Sequence, residues 1–393
     1  MSKIDKLIQQ YCPDGMEYVK LGDCIISLKT GLNPRQNFKL NVEGSVCPYI
    51  TGKDIYNDMI NTSSKTDMIT PEAVQIINRR SQLECGVLLF ASTGTGTVGR
   101  MAIVKEYNND WNISETLYAI KPKSNLQSSF LKYYLGSKTA IAQYEGKISK
   151  GSVPHLKVSD LLNVLIPLPP LPIQEEIVRI LDTFSELQAE LQAELQARQL
   201  QYQYYRDQLF RFDGRKDIKC KKLGDVCDIK RGIRVVKKQL KEDGAYPVFQ
   251  NSIPPMGYYD QYNREGNMPY IICAGSSSGS VGYCSSPFWA ADDCYTIEGG
   301  EVNNRYAFHF LKQSNHKLFS QVRNGSMPRL PHTAIDNMLI PIPSLEEQER
   351  IATILDRFDT LVNDLSQGLP AEIEARRQQY EYYRNKLLNF KKK

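Results

Sequence analysis

Two stretches of the chain carry apolar residues at steps of three and four. In residues 166–212 the series is Ile177, Ile180, Phe184, Leu187, Leu191, Leu195, then Tyr202, Tyr205, Leu209 and Phe212. In residues 340–390 it is Ile351, Ile354, Phe358, Leu361, Leu365, Leu369, Ile373, then Tyr380, Tyr383, Leu387 and Phe390. Such spacing predicts long helices with a heptad seam. Consecutive four-residue steps act as stutters that unwind it locally; in the first copy they come from the tandem tetrad E-L-Q-A. Pro172 is tolerated only in a first helical turn. In the second copy Ser344 and Glu347 have the spacing of a capping box. Gly368 and Pro370 predict a kink or break inside the second helix. Each helix of about 40 residues would span about 60 Å.

The two stretches are copies of one design. Each opens on I-P-x-P, places a glutamine (Gln174, Gln348) before I-x-x-I-L-D-x-F, and closes on Q-Y-x-Y-Y-R. A seam of this kind also suits a homodimeric coiled coil. Two similar seams in one chain, separated by a domain-sized insert, favour an antiparallel pair within the molecule.

The repeat extends beyond the helices. K-L-G-D occurs at Lys20 and again at Lys222. A-S-T-G-T-G-T-V-G from Ala91 matches A-G-S-S-S-G-S-V-G from Ala274. Trp111 and Trp289 each precede a strand-like run, and G-S-V-P-H-L from Gly151 answers G-S-M-P-R-L from Gly325. Between these landmarks the halves diverge. Short β-rich runs are mixed with helical segments at 129–135 and 305–312, which predicts α+β domains. Residues 4–11 read as a short amphipathic helix, and residues 246–260 as an exposed polar and aromatic loop. The resulting plan is an N-terminal domain over 1–165, a helix over 166–212, a second domain over 213–339 and a helix over 340–393. The repeated K-L-G-D predicts a pseudo-twofold, nearly circular arrangement in which the termini meet.

Composition narrows the classes. The 393 residues suit two or three domains, and a net charge of +5 permits nucleic-acid binding without requiring it. Nine cysteines with no C-x-x-C point to a reducing cytoplasm, and no apolar run approaches the roughly 18 residues of a membrane span.

Catalytic patterns are weak. Residues 94–99, G-T-G-T-V-G, fit a dinucleotide fingerprint, and an enzyme built on that loop is the alternative reading. The fingerprint needs a helix to follow, whereas R-M-A-I-V-K looks like a strand. A tight hairpin offering hydroxyl and N–H groups to phosphate fits better. Asp14, Glu17 and Lys20 have the wrong spacing for a nuclease set, and the four histidines follow no metal-ligand pattern. A third reading is a coiled-coil adaptor without DNA affinity. Candidate DNA contacts are Lys53, Ser92, Thr93, Thr95, Lys147, Lys150, Ser152, Arg231, Arg234, Asn251, Ser276, Ser277, Arg323, Ser326 and Arg329. Any one of these could be an ordinary surface residue. Lys150 and Arg323 gain weight because both precede the repeated G-S-x-P-x-L.

The doubled helix starts, the tetrads and the ending Y-E-Y-Y-R-N-K-L-L resemble the specificity subunit of type I restriction-modification enzymes, over essentially the whole chain. That resemblance implies a non-catalytic DNA-recognition subunit with two target-recognition domains, each reading half of a bipartite sequence, held apart by the paired helices. It implies methyltransferase subunits, probably two, docked on the helices through candidates Gln174, Tyr204, Tyr205, Arg206, Gln348, Tyr382, Tyr383 and Arg384, with restriction subunits able to join. S-adenosylmethionine, ATP and Mg would then belong to the partner subunits, with no cofactor or metal in this chain.

Overall fold

A computed structural model describes every residue except Met1, Gln82, Asn324 and Leu365; the seam position expected at Leu365 therefore lies outside the described residues. The chain forms two compact units. Unit 1 comprises residues 1–190 and 374–393, and unit 2 comprises 191–373.

Both units are α+β and share one plan. Unit 1 contains an antiparallel four-stranded sheet in the order Ile25–Thr30, Leu117–Pro122, Leu88–Ala91, Met101–Ile103. Unit 2 repeats it as Cys227–Arg231, Cys294–Gly299, Met268–Ile272, Val281–Cys284. A three-stranded sheet accompanies each. Cys47–Ile50 lies between Asp67–Ile69 and Asn112–Ile113, and Tyr246–Phe249 lies between Gly257–Tyr259 and Trp289–Ala290. The same pair is parallel in both, Ile50 opposite Ile113 and Phe249 opposite Ala290. The central strands Leu88–Ala91 and Met268–Ile272 are buried throughout, which explains their continuous apolar sequence.

Residues 246–260 are thus a correction: they form an antiparallel hairpin, with Val248 opposite Gly257, and not a loop. Pro254 and Pro255 lie in the connection, while Pro247 sits opposite Tyr258 near the start of its strand, before the parallel pairing begins at Val248. Gly31 and Gly232 show why the frame recurs. A Cβ on Gly31 would lie 1.7 Å from the Ile113 carbonyl oxygen, and one on Gly232 2.0 Å from that of Ala291, so each leaves room for the parallel strand's end.

The first long helix is continuous over Leu171–Leu209. The second is broken, as its Gly and Pro predict, into Leu345–Asn363 and Leu369–Leu387. Asp364 closes the first segment, and its side chain accepts from the Ser366 and Gln367 amides. Ser344 caps the Glu347 amide, but the capping box is half-formed because Arg350 takes the Glu347 carboxylate. In unit 1 Phe184 stacks on Tyr383, and in unit 2 Tyr202 and Tyr205 stack on Phe358. Early residues of one copy meet late residues of the other, so the copies pair antiparallel. The buried stripe differs from the predicted seam near each helix start. Ile173, Ile177 and Leu181 are buried in unit 1, and Ile351 and Leu355 in unit 2, while Leu187 and Leu361 are exposed. These turns cover a domain core as well as a partner helix, so the leucine of I-L-D turns inward. The chain ends meet in unit 1, where the Met16 amide donates to the Lys391 carbonyl and the Lys393 amide to that of Met16.

Candidate nucleic-acid interface

The repeated loops come together in both units through the same backbone bonds. In unit 1 the turn between Leu88–Ala91 and Met101–Ile103 carries Gly94, Gly96 and Gly99 at φ +119°, +72° and +89°. These are left-handed values that favour glycine. The Gly94 amide donates to the Pro154 carbonyl at 3.0 Å, and the Leu156 amide to that of Ser92 at 2.9 Å. In unit 2 the Gly275 amide donates to the Pro328 carbonyl at 3.0 Å, and the Leu330 amide to that of Cys273 at 2.8 Å. The turn glycines and G-S-x-P-x-L are therefore two sides of one structure, present twice.

A third loop joins each pair. Gly52 lies against Ala91 and Thr97, which brings Lys53 beside the unit 1 turn; Asn251 lies against Gly275 in unit 2. Thr93 Oγ1 is 2.8 Å from His155 Nδ1. Thr95, Lys147, Lys150 and Ser152 are exposed, as are Ser276, Arg323, Ser326 and Arg329, with Ser277 half-buried. Burial pushes the Cys273 thiol up to about 11 and Asp293 adds to the rise, while Arg231 and Arg329 pull it back, so both arginines and an aspartate lie near the unit 2 turn. Arg231 also donates to the Asp292 carbonyl. Arg234 is exposed one loop further on. Lys237 and Lys238, in the same exposed segment, complete a basic run that sequence reasoning passed over; the K-K dipeptide after R-G-I-R was its signal.

Ser92 is a correction. It is fully buried and its hydroxyl donates to the Thr116 carbonyl at 2.9 Å, so it holds the turn and presents nothing outward. The dinucleotide alternative also fails on geometry, because residues 94–99 lead into the strand Met101–Ile103, antiparallel to Leu88–Ala91. No helix N-terminus is available there for a pyrophosphate.

The docking candidates divide sharply. Gln174 and Gln348 are fully buried, so they are corrected from docking residues to internal clamps. Gln174 accepts from the Gln127 amide and donates to the Asn125 and Pro169 carbonyls, at 2.9, 2.8 and 2.7 Å. Gln348 accepts from the Asn303 amide and donates to the Glu301 and Pro343 carbonyls, at 2.8, 3.3 and 3.0 Å. Each glutamine fastens a helix start to the loop before a domain helix, Ser128–Leu135 or Asn304–Gln313. Tyr205 and Tyr383 spend their rings on the seam, and Arg206 and Arg384 lie over Tyr202 and Tyr380. Tyr204 and Tyr382 stay outside, 61% and 60% exposed.

A second clamp involves the aspartate of I-L-D-x-F. In unit 1 Tyr133 donates to Asp182 at 2.5 Å. In unit 2 His309 Nε2 lies 2.6 Å from Asp356, which also pairs with Arg305. Burial holds His309 below its ordinary value, since a neutral ring donating through Nε2 costs less there than a cation. Burial raises Asp356, but the bonds from His309 and Arg305 outweigh it, and its carboxyl stays below the usual range. Both folded values are depressed, so the stability they contribute is full above about pH 6.5 and is lost as pH falls, first through the histidine. Hydrogen exchange between pH 7.5 and 5.5 should show Asn304–Gln313 losing protection relative to Ser128–Leu135, whose Tyr133 clamp does not titrate there. Equal change in both helices contradicts this assignment.

Among the described residues no cluster of three His, Cys, Asp or Glu side chains could hold a metal, and no helix is long and apolar enough to cross a membrane.

A family model for the type I restriction modification DNA specificity domain matches residues 13–198 and 215–375. A putative type I restriction enzyme specificity subunit of Haemophilus influenzae is 31% identical over 77% of this chain and 82% of its own length. The EcoR124I/EcoR124II specificity subunit of Escherichia coli is 33% identical over 56% of this chain and 60% of its own. The crystal structure of a type I restriction-modification S subunit from M. genitalium superposes with a TM-score of 0.63 at 16% identity, covering 96% of this chain and 97% of that one. A chain from a structure describing complex assembly and conformational transition of the type I system gives 0.62 at 18%, covering 96% and 98%. At such identities the superpositions speak to the fold.

Proposed function

Because the chain belongs to the type I restriction-modification DNA specificity family, and is thus a non-catalytic DNA target-recognition subunit, we propose that its two units each read one half of a bipartite double-stranded DNA target. The observation that carries this reading is the loop assembly built twice by the same backbone bonds, Gly94 to Pro154 and Gly275 to Pro328, on surfaces whose other loops differ. One frame with two unlike faces suits two unlike half-sites. The helices shared by the units set the spacer between them.

In this reading the hydroxyls of Thr95, Ser152, Ser276, Ser277 and Ser326 and the amide of Asn251 meet phosphates or base edges, while that of Thr93 bonds to His155. Lys53, Lys147, Lys150, Arg231, Arg234, Arg323 and Arg329 supply the positive charge. Tyr204 and Tyr382, more exposed than Tyr205, are the aromatics on the long helices that suit docking of two methyltransferase subunits, with restriction subunits joining the assembly. S-adenosylmethionine, ATP and Mg belong to those partners, and the complex works in the cytoplasm.

Replacing Lys150 and Arg323 with Ala in the assembled methyltransferase complex should weaken duplex binding and lower the dependence of log K on log salt by about one for each contact removed. Titrations at several salt concentrations read both quantities; unchanged affinity and slope remove these residues from the interface.

A further inference from the structure

The repeated tip carries an exposed apolar residue that no internal packing explains. Val153 is 55% exposed and Met327 53%, each between the serine and proline of G-S-x-P-x-L. The tips are closed from below by matching bonds. The Ser149 amide donates to the His155 carbonyl at 2.9 Å, and Arg323 and Arg329 exchange amide bonds at 2.8 and 3.1 Å. The proline carbonyl is then tied to the turn glycine, so the apolar side chain is presented on a fixed base. Around it stand Lys150 in unit 1, and Arg323 and Arg329 in unit 2, all exposed. An apolar side chain held outward amid cations has one fitting partner here, an anionic surface with apolar faces within reach of the backbone charges. A DNA duplex has that chemistry, with phosphates flanking sugars and stacked bases.

We infer that Val153 and Met327 form a matched pair of apolar wedges with which each unit grips DNA independently of sequence, leaving base reading to the loops that differ. This rests on the DNA-recognition reading above and divides its labour. The tips share one backbone frame and present an apolar side chain that carries no strong hydrogen-bonding group, so they cannot read base edges and make a contact common to any duplex. The dissimilar loops around Lys53 and Asn251, and those beyond Gly31 and Gly232, remain to discriminate.

The test uses the complete methyltransferase complex and two duplexes, one carrying its methylated target and one of unrelated sequence. Val153→Ser and Met327→Ser should each weaken both duplexes by about tenfold, the worth of a lost apolar contact. The salt slope should stay unchanged, because no phosphate contact is removed. The exchanges Val153→Met and Met327→Val should leave the methylated sequence as it was. Substitutions at positions this exposed leave the fold intact, which circular dichroism verifies. Unchanged affinity, a loss confined to the target duplex, a reduced salt slope or an altered half-site each overturns the wedge. A wild-type complex that does not prefer its target over unrelated DNA overturns the underlying reading instead.

Discussion

Gln348→Leu is expected to destabilise unit 2 by roughly 3–5 kcal/mol, and Gln174→Leu to do the same in unit 1, although neither residue is charged or near the reading loops. Leucine has nearly the glutamine's volume and an equally buried position, so packing changes little. Three backbone groups lose their partner at once: the Asn303 amide and the Glu301 and Pro343 carbonyls in unit 2, and the Gln127 amide and the Asn125 and Pro169 carbonyls in unit 1. Each buried group left unsatisfied costs about 1–3 kcal/mol, partly recovered where water enters. Glu in the same place keeps an acceptor but loses the two donors and buries a charge, and should do no better. Hydrogen exchange resolves the effect by unit, with lost protection in Asn304–Gln313 for Gln348→Leu and in Ser128–Leu135 for Gln174→Leu. A loss under about 1 kcal/mol shows that the clamp adds little.

The second large effect concerns the helix that both units contain. Residues 189–192, one A-E-L-Q tetrad, span the point at which Leu171–Leu209 passes from unit 1 to unit 2. Removing four helical residues shortens that helix by about 6 Å and rotates its C-terminal part by about 40°. The helix keeps its register, since four residues are close to one turn. Glu190 and Gln192 are exposed, so no core is cut. The other copy can adjust, because Asp364 and residues 366–368, between its two segments, are not helical. A B-DNA base pair turns by about 35°, so one tetrad corresponds in rotation to about one base pair, although its rise of about 6 Å is nearer two.

The features written in local chemistry were legible beforehand. The heptad steps gave the helices, Gly368 and Pro370 the break between Asn363 and Leu369, and the glycines at 94, 96 and 99 a turn leading into a strand. The family resemblance rested on the same repeated motifs, and the family match bears it out. What escaped depends on tertiary context. A buried glutamine and a docking glutamine look alike in sequence, and only the three backbone partners tell them apart. Ser92 reads in sequence like the other hydroxyl residues of the turn, yet Thr116, brought over by the neighbouring strand, claims it. Leu181 and Leu355 turned inward because two neighbours, and not one, cover those turns. The hairpin at Tyr246–Phe249 and Gly257–Tyr259 was hidden by its prolines, which a strand accepts where no ladder bond is needed.

The most direct test of the division between reading loops and spacer helix is sequencing of methylated DNA from cells carrying the chain with residues 189–192 deleted, beside cells carrying the intact chain. The same two half-sites are expected at a spacer changed by about one to two base pairs. Altered half-sites at the original spacing would contradict it.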